Sequence, residues 1–429
     1  MTTAFARLSL ALLVTVLAAI ALPRLTEMVV GVETARTHLL YSPVRRDFIH
    51  REHRGEHNFT YGLESGETFD RQTYETLLPF IYYRNMEIRG RLPVELEGQS
   101  FDKAAIRAAL QVFELKPREL PGQAPQIPVY PLIEANPGEA RLTFPEDVFV
   151  PTESGLRFLN VDTNRPLPAL GAAVTRALTD AGLRFPLKLI EGKPTILKPR
   201  DEGYFLVGAE GTVVHLKRLD GAPVAVRTGI GAALKARGTA VRALKLSETT
   251  DPDYYGLLLA EDGGMFLVGY PDYRLTALPH QGYEPARMDY KVVLRPLYPT
   301  VVWSDDATVT AVALDSAWRE VARTTRTMPD AAEIGLAGLA AWLFPLRLEL
   351  GMADSGYLSW RLATPDRRAL AGSAGSLVGL LALWAWRWRR RGEPVHPRRD
   401  GLDLALTLLA GPPGLLAAAT VPKPAAREG

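Results

Sequence analysis

Residues 204–216, with the sequence YFLVGAEGTVVHL, contain the pattern that decides the fold. Two short runs of β-branched, aliphatic and aromatic residues flank Gly208-Ala-Glu-Gly211, and glycine permits the backbone conformations that tight turns need. The segment is therefore predicted to be a β-hairpin. Three further segments follow the same plan, at residues 156–164, 255–268 and 301–314.

The recurrence of these hairpins, about every 50 residues, indicates repeated β units such as the blades of an irregular propeller. The repeats share no fixed sequence signature, so a β-sandwich or an open meander stays possible. We therefore predict a mainly β fold with some α. It would comprise a propeller-like or multi-hairpin extracytoplasmic domain with terminal transmembrane helices.

Few segments of the middle of the chain carry helical signals. Residues 101–113 (FDKAAIRAALQVF) have apolar residues at helical spacing, and Asp102 is placed to cap the helix. Residues 169–183 (ALGAAVTRALTDAGL) predict a second helix, for which Gly182 is a natural stop. Six prolines between residues 117 and 137 predict a poorly structured connector. This connector is the best candidate for a domain boundary within the chain.

The N-terminal stretch, residues 8–22, is apolar and carries no charge. It is slightly long for the core of a signal peptide, and the preceding residues carry little positive charge, so we favour an uncleaved signal anchor. Small residues at Ala19 and Ala21 keep a cleaved signal peptide open as the alternative.

Two apolar stretches lie near the other end. Residues 369–386 are 18 uncharged residues that end in Trp384 and Trp386, and six arginines follow by residue 399. This is the pattern of a membrane span with its basic flank in the cytoplasm; a buried core helix with a basic tail is the alternative. Residues 402–421 are broken by Gly-Pro-Pro-Gly at 411–414, which favours a kinked span or a re-entrant hairpin.

The two ends predict the same orientation, with the bulk of the chain outside the cytoplasm. The predicted layout is a signal anchor at 1–30, a mixed α/β extracytoplasmic subdomain at 31–118, a proline-rich connector at 119–137, a hairpin-rich extracytoplasmic domain at 138–368, a transmembrane helix at 369–386, an arginine-rich cytoplasmic loop at 387–400 and a kinked transmembrane helix at 401–421.

Composition excludes several classes of function. The formal net charge is +2, so nothing global indicates a nucleic-acid partner. The chain has no cysteine, which excludes disulfides, thiolate metal sites and cysteine nucleophiles. No G-x-S-x-G, P-loop or G-x-G-x-x-G motif occurs. We predict no catalytic residue and no cofactor-binding residue.

The segment HREHRGEH, residues 50–57, contains the most suggestive cluster of potential ligands. On a helix, His50, His53 and His57 would share one face, as metal or haem ligation requires. Gly55 weakens a helix and the alternating charges are typical of a solvated segment, so an ordinary charged surface is the competing interpretation. Acidic pairs elsewhere, such as Asp305-Asp306, occupy predicted turns, where aspartate bonds locally. A glycosidase-like carboxylate pair stays open.

Several short strings occur in a fixed order along the chain. They are Tyr41-Ser-Pro43, Leu78-Pro79-Phe80 with Tyr82-Tyr83, Tyr130-Pro131-Leu132, Phe185-Pro186, Gly192-Lys-Pro194-Thr195, Asp201-Glu-Gly203-Tyr204-Phe205, Tyr254-Tyr255-Gly256 and Tyr283-Glu-Pro285. Together they resemble an uncharacterised domain-of-unknown-function family of bacterial membrane-anchored extracytoplasmic proteins. The resemblance implies terminal membrane segments, a location at the bacterial inner membrane with a periplasmic main domain, and an association with ABC-type transport systems. It implies no activity.

We therefore expect a non-enzymatic accessory or sensor subunit of a membrane assembly such as an ABC-type transporter. Its partners would be the lipid bilayer and, through the C-terminal spans, other membrane subunits. Two alternatives come from other classes: a membrane-tethered hydrolase or carbohydrate-active enzyme on a propeller-like scaffold, and a metal- or haem-handling protein that uses the three histidines.

Overall fold

The computed structural model describes residues 2–30, 37–53, 59–123, 127–249, 252–328, 342–352, 358–362 and 369–422. The chain divides into two compact units. Unit 1 consists of Met1–Thr37, Glu52–Thr60 and Met328–Gly429, and unit 2 of His38–Arg51 and Tyr61–Thr327.

Strands dominate the chain between residues 37 and 327. They are β1 Thr37–Ser42, β2 Asp47–His53, β3 Phe59–Leu63, β4 Thr68–Phe69, β5 Val94–Leu96, β6 Gln99–Phe101, β7 Gln111–Leu115, β8 Tyr130–Pro131, β9 Asp147–Pro151, β10 Leu156–Asn160, β11 Arg165–Pro166, β12 Leu189–Gly192, β13 Tyr204–Val207, β14 Val213–Leu219, β15 Ala222–Arg227, β16 Val241–Leu246, β17 Tyr254–Ala260, β18 Met265–Gly269, β19 Leu275–Leu278, β20 Asp289–Leu294, β21 Thr300–Ser304, β22 Thr308–Leu314 and β23 Glu320–Thr327.

The remaining elements are helices and one late hairpin. They are α1 Thr2–Val30, α2 Arg71–Leu77, α3 Tyr83–Ile88, α4 Lys103–Ala109, a 3-10 turn Pro117–Glu119, α5 Pro168–Asp180, α6 Ile230–Lys235, the strands β24 Leu348–Met352 and β25 Leu358–Leu362, and α7 Leu370–Arg391, α8 Pro397–Ala410 and α9 Pro412–Thr420.

Most of the strands form four-stranded sheets in which neighbours in sequence are neighbours in space. The orders are β1-β2-β3-β4, β11-β10-β9-β8, β12-β13-β14-β15 and β16-β17-β18-β19. All four predicted hairpins are confirmed, as the antiparallel pairs β10/β11, β13/β14, β17/β18 and β21/β22. The fold is mainly β with some helices. Among the described residues the sheets are open, and propeller closure stays a prediction.

A fifth sheet crosses the predicted boundary at residues 119–137. Its order is β23-β22-β21-β20-β7, so β7 from before the proline-rich segment pairs with β20 from far beyond it. Leu120, Leu132 and Ile133 of that segment are buried. The prolines therefore do not separate two independent domains, because long-range strand pairing and core burial hold both sides in unit 2.

The two predicted helices of this region form, with one boundary in error. Asp102 caps α4 by accepting a hydrogen bond from Ala105 N at 2.7 Å, but the helix ends at Ala109 and not at Phe113. Phe113 instead lies in β7 opposite Val292, 3% exposed, because burial in the fifth sheet overrides the helical spacing. α5 ends as predicted, with Gly182 at φ +86°.

Unit 1 contains the chain's terminal helices. Among the described residues one segment, Phe5–Thr26 of α1, is long and apolar enough to be a candidate membrane span, and it lies near the N-terminus. α7 continues through Arg391 before Gly392 ends it at φ +64°. The predicted loop at 387–400 is therefore shorter, since its first arginines are helical. The predicted break in the last stretch is confirmed at Gly411, between α8 and α9.

Candidate functional site

Two of the three histidines proposed as ligands lie on a strand and not on a helix. His50 and His53 lie in β2, and their odd spacing directs them to opposite faces of a strand. His50 Nδ1 lies 3.2 Å from Glu64 Oε1, whereas the His53 ring packs against Phe59 at 4.9 Å. His57 lies outside the described residues. Within the described ranges no three His, Asp or Glu side chains form a potential metal site, and the three-histidine site stays a prediction.

The acidic turns have a local explanation where the structure describes them. Asp305 Oδ1 accepts hydrogen bonds from Ala307 N at 2.9 Å and Thr308 N at 2.7 Å. Asp262 accepts one from Gly264 N at 3.0 Å. These are the local bonds by which aspartate stabilises turns.

A cluster that sequence reasoning did not single out surrounds Lys198, in the loop between β12 and β13. The Lys198 side chain is only 2% exposed. Its Nζ donates to Asp201 Oδ1 at 2.5 Å, to Glu248 Oε1 at 2.8 Å and to the carbonyl of Lys193 at 2.8 Å. An ammonium has three protons to donate, so all three are satisfied inside the protein.

Glu248 connects this loop to the neighbouring sheet, since it follows β16. Besides Lys198, its Oε1 accepts the backbone N–H of Glu202 at 2.7 Å. Burial raises the pKa of Glu248, and the hydrogen bond from Lys198 acts in the opposite direction. The Glu202 carboxylate in turn forms ion pairs with Arg200 and Lys217. Three cations therefore face three anions, and the cluster is neutral as a whole.

His215 of β14 lies beside these charges and is 1% exposed. Its Nε2 donates to the carbonyl of Glu202, and its Nδ1 accepts from Tyr273 Oη at 3.0 Å. The ring stacks on Phe205 at 4.2 Å. Burial lowers the pKa of His215 to about 3, so the imidazole is neutral at physiological pH with its proton on Nε2.

Tyrosines extend this network toward the surface. Tyr255 stacks on Tyr273 with ring centroids 5.1 Å apart, and Tyr270 lies 4.9 Å from Tyr255. The Arg200 guanidinium lies 4.6 Å from the centre of the Tyr270 ring. Burial raises the pKa of both Tyr255 and Tyr273, so both phenols stay protonated and can donate hydrogen bonds.

Two glycines allow the backbone to pass through this crowded region. Gly203 has φ +64°, and a Cβ there would lie 2.1 Å from the carbonyl oxygen of Leu216. At Gly256 a Cβ would lie 2.0 Å from the carbonyl oxygen of Lys245. Only glycine fits these positions. The strings DEGYF at 201–205 and YYG at 254–256, both part of the resemblance, therefore meet in one place, and they were the sequence signal for this cluster.

The contacts of the cluster hold backbone in place. Its charged side chains form ion pairs with one another. Three cavities of the described part of the chain lie elsewhere, with about 660 Å³ beside α4, about 620 Å³ between α5 and β10, and about 390 Å³ around Glu75. None of the three is lined by Lys198, Glu248 or His215. The arrangement can fix the loop at 193–203 between two sheets.

Comparison with known proteins places the chain in a family. Residues 38–314 match the family described as "Domain of unknown function (DUF4857)", and that range is more than half of the chain. The chain belongs to the DUF4857 family. The DUF4857 match contains the Lys198 cluster and all four predicted hairpins, and it excludes α1 and α7–α9. No curated protein matches the chain.

Proposed function

We propose that this chain is a non-enzymatic, membrane-anchored accessory or sensor subunit of a membrane assembly, with ABC-type transporters as the first candidates. Its DUF4857 domain would lie outside the cytoplasm at the bacterial inner membrane. One observation carries the proposal, the buried ion pair between Arg7 of α1 and Asp403 of α8.

This ion pair joins the two ends of the chain within unit 1. Arg7 Nη2 lies 2.6 Å from Asp403 Oδ1, and the two side chains are 9% and 3% exposed. Most outward-facing residues on α1 are apolar, among them Leu13 and Leu17, which are 54% and 56% exposed; Ser9 and Arg24 are the polar exceptions among its described side chains. Charge inside and leucine outside is the arrangement expected of helices in lipid, where intramembrane charges face the bundle and pair with one another.

The end of α7 supports the orientation. Trp386 and Trp388 are 50% and 63% exposed, and the last turn of the helix carries three arginines. Arg387 instead points inward and donates to the carbonyls of Ala418 at 2.9 Å and Ala419 at 3.2 Å, near the end of α9. Exposed tryptophans beside a basic cluster are typical of the cytoplasmic membrane interface.

The Lys198 cluster favours a structural or docking role for the DUF4857 domain over hydrolysis. A hydrolase needs acid, base or nucleophile groups that face a substrate, whereas these carboxylates face lysine, arginine and backbone N–H groups. Consecutive four-stranded meanders are also the units from which propellers are built, and propellers commonly present binding surfaces. A propeller-like arrangement is therefore part of the proposal.

Because the chain lacks cysteine, single-cysteine variants can test its orientation directly. Glu210 and Arg391 are both exposed. A membrane-impermeant maleimide applied to intact spheroplasts is expected to label Glu210→Cys, and to label Arg391→Cys only after permeabilisation. The opposite pattern would overturn the orientation.

Affinity purification from detergent-solubilised membranes tests the assembly itself. We expect a membrane partner in stoichiometric amount. Recovery of the protein alone, under conditions that keep it folded, would contradict an accessory role.

A further inference from the structure

The loop at residues 193–200 inverts the usual distribution of apolar and charged side chains. Leu197 is 92% exposed, more than any other large apolar residue among those described. The next residue, Lys198, has a side chain that is only 2% exposed. Single exposed leucines are common on protein surfaces. A buried lysine that holds the neighbouring leucine outward is uncommon, because burying an ammonium is unfavourable unless it is fully paired.

The loop is fixed from both sides of Leu197. On one side Lys198 Nζ holds the loop to Asp201, to Glu248 and to the carbonyl of Lys193. On the other side, Leu197 N donates to Thr195 Oγ1 at 3.1 Å, and Thr195 N donates to the Lys193 carbonyl at 2.8 Å. The direction of the leucine side chain is therefore set before any partner arrives. A preordered contact loses less conformational entropy on binding than a flexible one.

The loop also carries an unpaired positive charge. Lys193 is exposed and forms no ion pair with any residue that the structure describes. Pro194 and Pro199, both exposed, frame the tip and restrict its backbone. The surface offered outward is thus a rigid leucine with a cation beside it.

We infer that Leu197 is the anchor of a protein-docking site, and that its partner carries an apolar socket with an acidic rim. This inference rests on the proposed function, since the partner would be another subunit of the membrane assembly. A fixed side-chain direction is useful against a surface of fixed shape, and rigid anchors in fitted pockets dominate protein interfaces. A lipid surface is fluid and gains little from a fixed orientation, so the clamp favours a protein.

The first experiment compares two matched substitutions in the full-length protein, purified with its partner from detergent-solubilised membranes. Leu197→Asp removes the anchor and puts a negative charge against the acidic rim. Ile88→Asp changes a residue that is 83% exposed at the end of α3 and serves as the control. We expect Leu197→Asp to reduce recovery of the partner at least about tenfold, in line with the loss of a central anchor. Ile88→Asp is expected to keep wild-type recovery, and both variants should keep the wild-type Tm.

The second experiment places a photo-reactive amino acid at position 197 and identifies what it crosslinks in intact membranes. The expected result is one discrete adduct with the same protein whose recovery falls in Leu197→Asp. Adducts with lipid alone would overturn the inference. So would equal recovery of a partner by the wild type and both aspartate variants, which would leave the proposed function standing. Absence of any partner with the wild-type protein would overturn both.

Discussion

Lys198 and Glu248 are 50 residues apart in sequence, yet Lys198 Nζ lies 2.7 Å from Glu248 Oε2, with the two side chains 2% and 1% exposed. Lys198 belongs to the loop between β12 and β13, whereas Glu248 follows β16 in the neighbouring sheet. The pair therefore ties two sheets together through buried charge. Removal of the pair should therefore destabilise both sheets.

Replacement of Lys198 by methionine is expected to destabilise the protein strongly. Methionine keeps most of the side-chain volume but leaves Asp201 and Glu248 buried without their cation, a change that typically lowers the free energy of unfolding by about 3–5 kcal/mol. Thermal unfolding of the purified chain measures the effect. The control is Lys193→Met, in the same loop, where an exposed lysine should change stability by no more than about 0.5 kcal/mol. Equal Tm values for the two variants would contradict the role given to the Lys198 ammonium.

The Arg7–Asp403 pair is expected to show charge complementarity across the chain. Arg7→Asp or Asp403→Arg alone places two like charges together in a buried position, so each should sharply lower the amount of folded protein. The exchange of both residues restores opposite charges and should recover a large part of that loss. Fluorescence-detected size exclusion after detergent extraction measures the folded amount. If the double exchange is no better than the single changes, the two side chains do not interact in the native protein.

Acidification is expected to destabilise the protein through His215. Burial lowers the pKa of His215 to about 3 in the folded state, whereas an unfolded imidazole titrates near pH 6.5, about its usual value. Between these values the unfolded chain binds more protons, so stability is lost as the pH falls from about 6.5 toward 3. The limiting slope is about 1.4 kcal/mol per pH unit.

The variant His215→Gln removes the titrating imidazole. Denaturant titrations of the variant and the wild type at pH 7 and pH 5 therefore isolate the contribution of His215 to the pH dependence of the free energy of unfolding. We expect a smaller loss of stability at pH 5 in the variant than in the wild type. Glu191 has the opposite dependence, because burial raises its pKa to about 7 and its stabilisation is lost as the pH rises from about 4.5 to 7. It is present in both proteins, so the difference between them reports on His215. Parallel pH profiles would show that His215 is not buried as a neutral group.

Two glycines with similar backbone conformations should respond differently to alanine. Gly203 and Gly211 have φ +64° and +81°, so both substitutions introduce strain of about 1–2 kcal/mol. At Gly203 the new Cβ would also lie 2.1 Å from the Leu216 carbonyl oxygen, whereas nothing lies within 4 Å at Gly211. Gly203→Ala is therefore expected to lower the Tm well below that of Gly211→Ala. A similar Tm for both would mean that the loop can move away from β14.

Local features of the sequence predicted the elements whose signals are themselves local. The turn at Gly208–Gly211, the cap at Asp102 and the break at Gly411 each depend on neighbouring residues, and each occurs as predicted. Phe113 was placed in a helix because its spacing fits one, but its partner Val292 in β20 is remote in sequence. Pairing between strands that are remote in sequence gives no signal in the residues next to Phe113.

The Lys198 cluster could not be predicted for a related reason. A lysine in a proline-rich loop and a glutamate after a strand are ordinary surface residues until two sheets bring them together. Only the glycines gave a hint, since Gly203 and Gly256 lie in strings that looked specific without an evident cause. In the structure that cause is close backbone approach. His50 and His53 were misleading for the opposite reason. Their spacing of three would place them on one face of a helix, but it places them on opposite faces of a strand.

The pairing of β7 with β20 has a consequence for how the protein is made. The hydrogen bonds between β7 (Gln111–Leu115) and β20 (Asp289–Leu294) cannot form until β20 has been synthesised. At roughly 5–20 residues per second, synthesis of the intervening roughly 170 residues takes on the order of 10–30 s. Throughout that interval a strand with an apolar face is in place without its partner. We therefore expect biogenesis to depend on holdase chaperones, and a truncation before β20 to aggregate or be degraded.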